Sequence, residues 1–166
     1  DGGININPGL EEKADICRNA IDLAISLGVE WPKVAVLAAV ETVSSKMPAT
    51  IDAAARCKMA ERQQITGGLI DGPLAFDNAV SPEAAQVKGI RSAVGGQADV
   101  LVVPDLESGN MLAKQLEHLA DAVSAGIVLG ARVPIVLTSR ADSAETRTAS
   151  TAVAAVMACH KTAKAP

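Results

Sequence analysis

The chain predicts an α/β fold, a three-layer αβα sandwich around a mostly parallel sheet. Three observations carry that prediction. Short apolar runs at residues 33–40 and 133–137 read as strands buried on both faces. They alternate with longer segments of helical period, and such alternation implies parallel pairing through right-handed crossovers. Trp31 and Phe76 are the only aromatic residues, so the core must be aliphatic, which suits buried strands under Ala-rich helices.

The elements follow in order. Residues 1–8 look like a strand entered halfway, without an initiator Met, as in a processed product, an excised domain or a fragment. Residues 10–27 are helical. Ala14, Cys17, Ile21, Ala24 and Ile25 fall on one side, Glu11, Glu12 and Asp15 complement the N-terminal dipole, and Gly28 is placed to end the helix. Residues 33–40 form a central strand. Pro48 then opens a helix that runs to about Gln63. Residues 65–74 are a short strand entering a Gly/Pro-marked loop, and 82–88 a short helix. A strand at 99–103 stops at Pro104-Asp105, and a third long helix spans 109–121. Strands at 125–129 and 133–137 precede a final helix from about Ser143 to Cys159 and a tail at 161–166.

Bulk composition narrows the function. The chain has 166 residues, 49% hydrophobic and 20% charged, enough for one well-packed core. Net charge is −4, so no basic field favours nucleic acid or an anionic membrane. Two aromatics are too few for a stacking platform for single-stranded nucleic acid. No apolar stretch is long enough to span a bilayer, and no charged region followed by an apolar one marks a secretory signal. Cys17, Cys57 and Cys159 form no CxxC pair and read as reduced thiols, which makes the expected location cytoplasmic.

In open parallel sheets ligands sit beyond the carboxyl ends of the strands. That rule selects residues 41–46, 71–78, 104–110 and 139–143, all rich in polar groups. The last is the most informative: Thr138-Ser139-Arg140-Ala141-Asp142-Ser143 places a hydroxyl, a guanidinium and a carboxylate before a helix N-terminus. Free N–H groups there, with Ser139 and Arg140, suit a phosphate or a developing oxyanion. The alternative is that Asp142 or Ser143 only caps the helix while Arg140 sits in solvent. Asp77 or Asn78 could wall a pocket, or belong to a loop held by Asx turns. Asp105 and Glu107 lie between a strand and a helix, with Gly109 allowing close backbone approach; Asp105 could instead be a plain loop carboxylate and Ser108 an N-cap.

Other chemistries lack their signatures. His118 and His160 are far apart within helical patterns and read as surface positions, so no metal site is expected. No dinucleotide or Walker-type glycine loop occurs, and no G-x-S-x-G elbow.

Several segments resemble one family. Val102-Val103-Pro104-Asp105-Leu106-Glu107-Ser108-Gly109-Asn110 is similar to the PDLEAGN signature of the phosphate acetyltransferase and phosphate butyryltransferase family. Ile70-Asp71-Gly72-Pro73-Leu74-Ala75-Phe76-Asp77-Asn78-Ala79 resembles its DGPLAFDNA segment, and Ser139-Arg140 falls where the family has a late SR pair. The run Ala39-Val40-Glu41-Thr42-Val43 up to Met47-Pro48 looks most like the butyryl-type branch and the phosphotransacetylase part of enoyl-CoA hydratase fusions.

The resemblance implies two lobes of the isocitrate/isopropylmalate dehydrogenase type, with the active site in the cleft between them. Residues 1–142 would be the second lobe. Residues 143–166 would be a terminal helix returning toward a first lobe absent from this chain, followed by a tail. The implied reaction is acyl-CoA plus inorganic phosphate giving acyl phosphate plus CoA, with no cofactor, no metal, and a homodimer as the expected assembly. By resemblance Arg140 binds the phosphoryl group and Ser139 hydrogen-bonds the carbonyl oxygen or phosphate. Asp77, Asp105, Glu107 and Asn110 would shape the substrate cleft. Acetyl-type members commonly carry an Asp seven residues after the Ser as the proposed base. Thr146 stands there in this chain, so Asp142, one turn earlier, becomes the expected base, with Glu145 as the other candidate. A rival implication is a non-catalytic acyl-CoA-sensing domain, which loss of that Asp would suit.

Overall fold

The computed structural model describes residues 1–164; residues 165 and 166, the end of the expected tail, lie outside the described residues. The elements are α1 (Leu10–Ser26), β1 (Lys33–Leu37), α2 (Pro48–Glu61), β2 (Leu69–Leu74), α3 (Phe76–Val80), α4 (Pro82–Val87) and β3 (Val100–Val102). They continue with α5 (Leu106–Leu119), β4 (Ile127–Val128), β5 (Ile135–Val136) and α6 (Ala144–Lys164).

β1 lies between β2 and β3, and both pairings are parallel. Side chains alternate across a strand, so β1 feeds two cores. Val34 joins Val102 of β3, Ala14, Cys17 and Ile21 of α1, and Met59 of α2. Ala35 and Leu37 join Leu74 of β2, Ala79 of α3 and Val94, with Leu101, Val103 and Leu112 packed alongside. Helices therefore cover both faces, and the three-layer α/β arrangement stands. The register slips between Ala35 and Leu37. Opposite the slip is Gly72, where a Cβ would lie 2.6 Å from the Val36 carbonyl oxygen, so only glycine lets the strands approach this closely.

Four expectations change. Residues 1–8 are not a strand; the Asp1 carboxylate accepts hydrogen bonds from the amides of Gly3, Ile4 and Asn5 and folds them into a turn. The loop after β2 contains a short helix, α3. The third long helix begins at Leu106, three residues before Gly109, because the Asp105 carboxylate caps it by accepting from Ser108 N at 2.8 Å.

The fourth change is the largest. β4 and β5 do not extend the parallel sheet; they pair antiparallel with each other. Only residues 129–134 separate them, and a parallel crossover needs about a dozen. The 133–137 run is consequently not buried: Val133, Ile135, Val136 and Leu137 are 65, 45, 39 and 46% exposed.

α6 extends beyond the expected Cys159 and crosses both α1 and the β4–β5 ribbon. Its anchor is the fully buried Ser150, whose Oγ accepts from Gly126 N at 2.9 Å and donates to the Thr146 carbonyl at 2.7 Å. Between α1 and α2, buried Lys13 pairs with Asp52 at 2.5 Å, while Arg56 gives its Nε–H to the Asp52 carbonyl. No described helix is long and apolar enough to cross a membrane.

Candidate functional site

Two polar regions emerge, and they are separate. The first lies beyond the carboxyl ends of β1 and β2. Lys88, which ends α4, reaches Glu41 at 2.9 Å and Asp77 at 2.9 Å. Fully buried Asn78 donates its side-chain amide to Glu41, and its Oδ1 has no partner among the described residues. Hydrogen bonding to Lys88, chiefly, holds both the Glu41 and Asp77 carboxyls below their usual range, and the same contacts raise Lys88. Asp77 is thus committed to an ion pair that ties the segment after β1 to α3 and α4.

The second region is a cleft of about 650 Å³ between the sheet layer and the β4–β5 ribbon. Ile16, Leu23, Leu101, Val128 and Leu137 give it apolar walls. Its polar lining includes Asn110, Ser139 and Asp142 from the predicted set. The 139–142 segment forms a tight turn: Ser139 N donates to Asp142 Oδ2 at 2.6 Å, and Asp142 N to the Ser139 carbonyl at 3.2 Å. Asp142 therefore precedes α6 and is not on the helix face with Thr146 that one-turn spacing suggests. The helix cap is Ser143, whose Oγ accepts from Thr146 N at 3.1 Å. Asp142 and Thr146 nevertheless share the wall of a smaller adjoining cavity of about 290 Å³.

The remaining predicted residues fall outside the cleft. Arg140 is exposed at the tip of the turn and forms no ion pair among the described residues, which leaves its guanidinium available to an anion. Asp105 serves as the α5 cap, and the Ser108 hydroxyl, bonded at 2.6 Å, is the main cause of its lowered pKa. Glu107 is exposed on the first turn of α5. Asn110 lines the cleft but donates to the Gly2 carbonyl at 3.1 Å. This contact needs Gly109, since a Cβ there would lie 2.8 Å from the Asp1 carbonyl oxygen.

Sequence reasoning passed over Lys114 and Glu117, which line both cavities and pair at 2.6 Å. The signal was available: Asn110, Lys114 and Glu117 stand at i, i+4 and i+7 on one face of α5. Of the histidines, His118 is exposed and His160 half-buried, its Nε2 without a partner among the described residues.

The chain is similar to known proteins over nearly all of its length. It is 64% identical over 163 residues to a phosphate acetyltransferase of Rhizobium meliloti, covering 98% of this chain and 52% of that protein. A phosphate butyryltransferase of Clostridium acetobutylicum is 47% identical over 161 residues, covering 97% and 54%. Among solved structures, a branched-chain phosphotransacylase from Enterococcus faecalis V583 superposes with a TM-score of 0.88 at 37% identity, over 95% of this chain and 56% of that one. The chain thus spans about half the length of the curated relatives it matches. The family described as "Phosphate acetyl/butaryl transferase" matches residues 1–155, and on that match over nearly its whole length the chain belongs to that family.

Proposed function

We propose that the chain contributes to a phosphate acyltransferase that moves a short acyl group between CoA and inorganic phosphate. The observation that carries this reading is the 139–142 turn, which lies at a cleft and presents a hydroxyl, a free guanidinium and a carboxylate in a member of this family. Arg140 holds the phosphate against the acyl carbonyl, and Ser139 hydrogen-bonds the carbonyl oxygen or the phosphate as the tetrahedral oxyanion forms. The phosphate oxygen attacks the thioester carbon, and CoA leaves as the thiolate. In the reverse direction Asp142 takes the thiol proton, because the thiolate is the nucleophile. Asp142 Oδ2 is occupied by the Ser139 amide, which fixes the carboxylate and leaves the other oxygen to accept the proton.

The reaction calls for placed donors and a base, with no cofactor or metal. Residues 1–142 correspond to the second lobe of the two-lobe family enzyme, and residues 143–166 to a terminal helix returning toward the first lobe and a tail. A homodimer in the cytoplasm is the expected setting. Family membership supports this catalytic reading over an acyl-CoA-sensing one.

The test is phosphate-dependent thiol release from acetyl-CoA and butyryl-CoA, supplied separately. Arg140→Ala should lower turnover about 1,000-fold, in the range seen for loss of one oxyanion-stabilising group. Unchanged turnover in Arg140→Ala would overturn the assignment.

A further inference from the structure

The 139–142 turn is held by hydrogen bonds within itself, and α5 is the element that faces it across the cleft. Lys114 and Glu117 project from α5 into the cleft that Ser139 and Asp142 also line. Both also line the smaller cavity, where Asp142 is again a neighbour, so this lysine stands between the two spaces. Its ammonium bonds Glu117 at 2.6 Å.

The charges around the turn are unbalanced. Asp142 shares the lining of these two cavities with Lys114, Glu117 and His118 of α5, Asp121 just beyond it, Glu145 of α6, and Asp1 of the N-terminal turn. Carboxylates outnumber cations in that set. An anion brought to Ser139 and Arg140 enters this field, and like charges at such range disfavour it. Lys114 is the lysine lining both cavities.

We propose that Lys114 is a positioning residue whose ammonium offsets Glu117 and Asp142, so that the 139–142 turn can accept a phosphate dianion. This rests on the phosphate acyltransferase reading and assigns within it the group that makes an acidic cleft tolerate an anionic substrate. Lys114 acts through the field and through Asp142, while Arg140 makes the direct contact.

The experiment measures binding of radiolabelled inorganic phosphate by equilibrium dialysis, alongside steady-state turnover, for the chain and four variants. Circular dichroism confirms that each variant is folded. Lys114→Met should weaken phosphate binding and raise the KM for phosphate about tenfold, with kcat changed less than about threefold. Lys114→Arg should stay within about threefold of the parent. Glu117→Gln should bind phosphate at least as well as the parent, and Lys114→Met/Glu117→Gln should recover most of the loss. A purely structural ion pair gives another pattern: Glu117→Gln fails as Lys114→Met does, and the double variant is not rescued. That pattern would overturn the proposal, as would an unchanged phosphate affinity in Lys114→Met or no phosphate binding by the parent. If the charge series holds but neither the chain nor a two-lobe enzyme that contains it turns over, the acyltransferase reading fails and the role of Lys114 stands.

Discussion

Val36 and Val136 sit in apolar runs of nearly the same composition, yet one is 0% exposed and the other 39%. Val36 belongs to β1, which has a partner on each edge and helices on both faces. Val136 belongs to β5, which pairs with β4 and is covered in part by α6. A strand's own residues set its propensity, whereas its burial depends on what the rest of the chain can place around it. The difference also separates scaffold from chemistry. The buried sheet carries the packing, and the exposed ribbon leads into the Ser139-Arg140-Ala141-Asp142 turn.

The comparison breaks most sharply on a carboxylate placed in each run. Val36→Asp puts an unpaired charge inside the layered core, at a cost of about 3–5 kcal/mol, a large share of what a domain has. Val136→Asp should change stability by less than about 0.5 kcal/mol, because the new carboxylate reaches water. Urea unfolding followed by circular dichroism measures both. Equal losses would mean that the ribbon is as integral to the folding unit as the sheet.

Helix caps give a middle-sized version of the same contrast. Asp105→Ala removes the carboxylate that accepts from Ser108 N and Ser108 Oγ at the head of α5, and should cost about 1 kcal/mol. Ser143→Ala removes the cap of α6 at an exposed end and should cost less, with α6 fraying at its first turn. Amide exchange of residues 144–148 against 106–110 reads this directly. Faster exchange at α5 than at α6 would reverse the assignment of the two regions.

Much of the sheet half was legible. Buried parallel strands write themselves as continuous apolar runs, and Pro48, Pro82 and Pro104 mark starts and stops at positions the structure respects. The start of α5 was less so, because whether Asp105 or Ser108 caps depends on which backbone N–H each oxygen reaches. The ribbon was misread for a reason within the sequence: six residues between two strands favour an antiparallel return, however apolar the second strand is. The grouping of Ser139, Asp142 and Asn110 could not be read at all. It depends on α6, through Ser150 and Gly126, fixing where the ribbon sits relative to α5. Lys114 was legible as one face of α5, but its relevance appears only once the 139–142 turn lies opposite.

The smallest expected effect is the pH response of the Lys88 cluster, which belongs to the sheet half. Glu41 and Asp77 have folded pKa values below their unfolded ones, about 4.3 and 3.9. Below the unfolded values the unfolded chain binds more protons than the folded one, so stability falls as pH falls through the folded values. Lys88 is raised, so its contribution is present below its unfolded value of about 10.4 and is lost as pH rises through the folded one. The cluster therefore stabilises fully between about pH 5 and 10, and exposure of the groups keeps the effect modest. Lys88→Met should return both carboxyls toward their unfolded values and flatten the slope of stability against pH between about 3 and 5. Thermal unfolding at half-unit steps of pH measures that slope. An acid limb as steep in Lys88→Met as in the parent would place the main acid-sensitive groups outside this cluster.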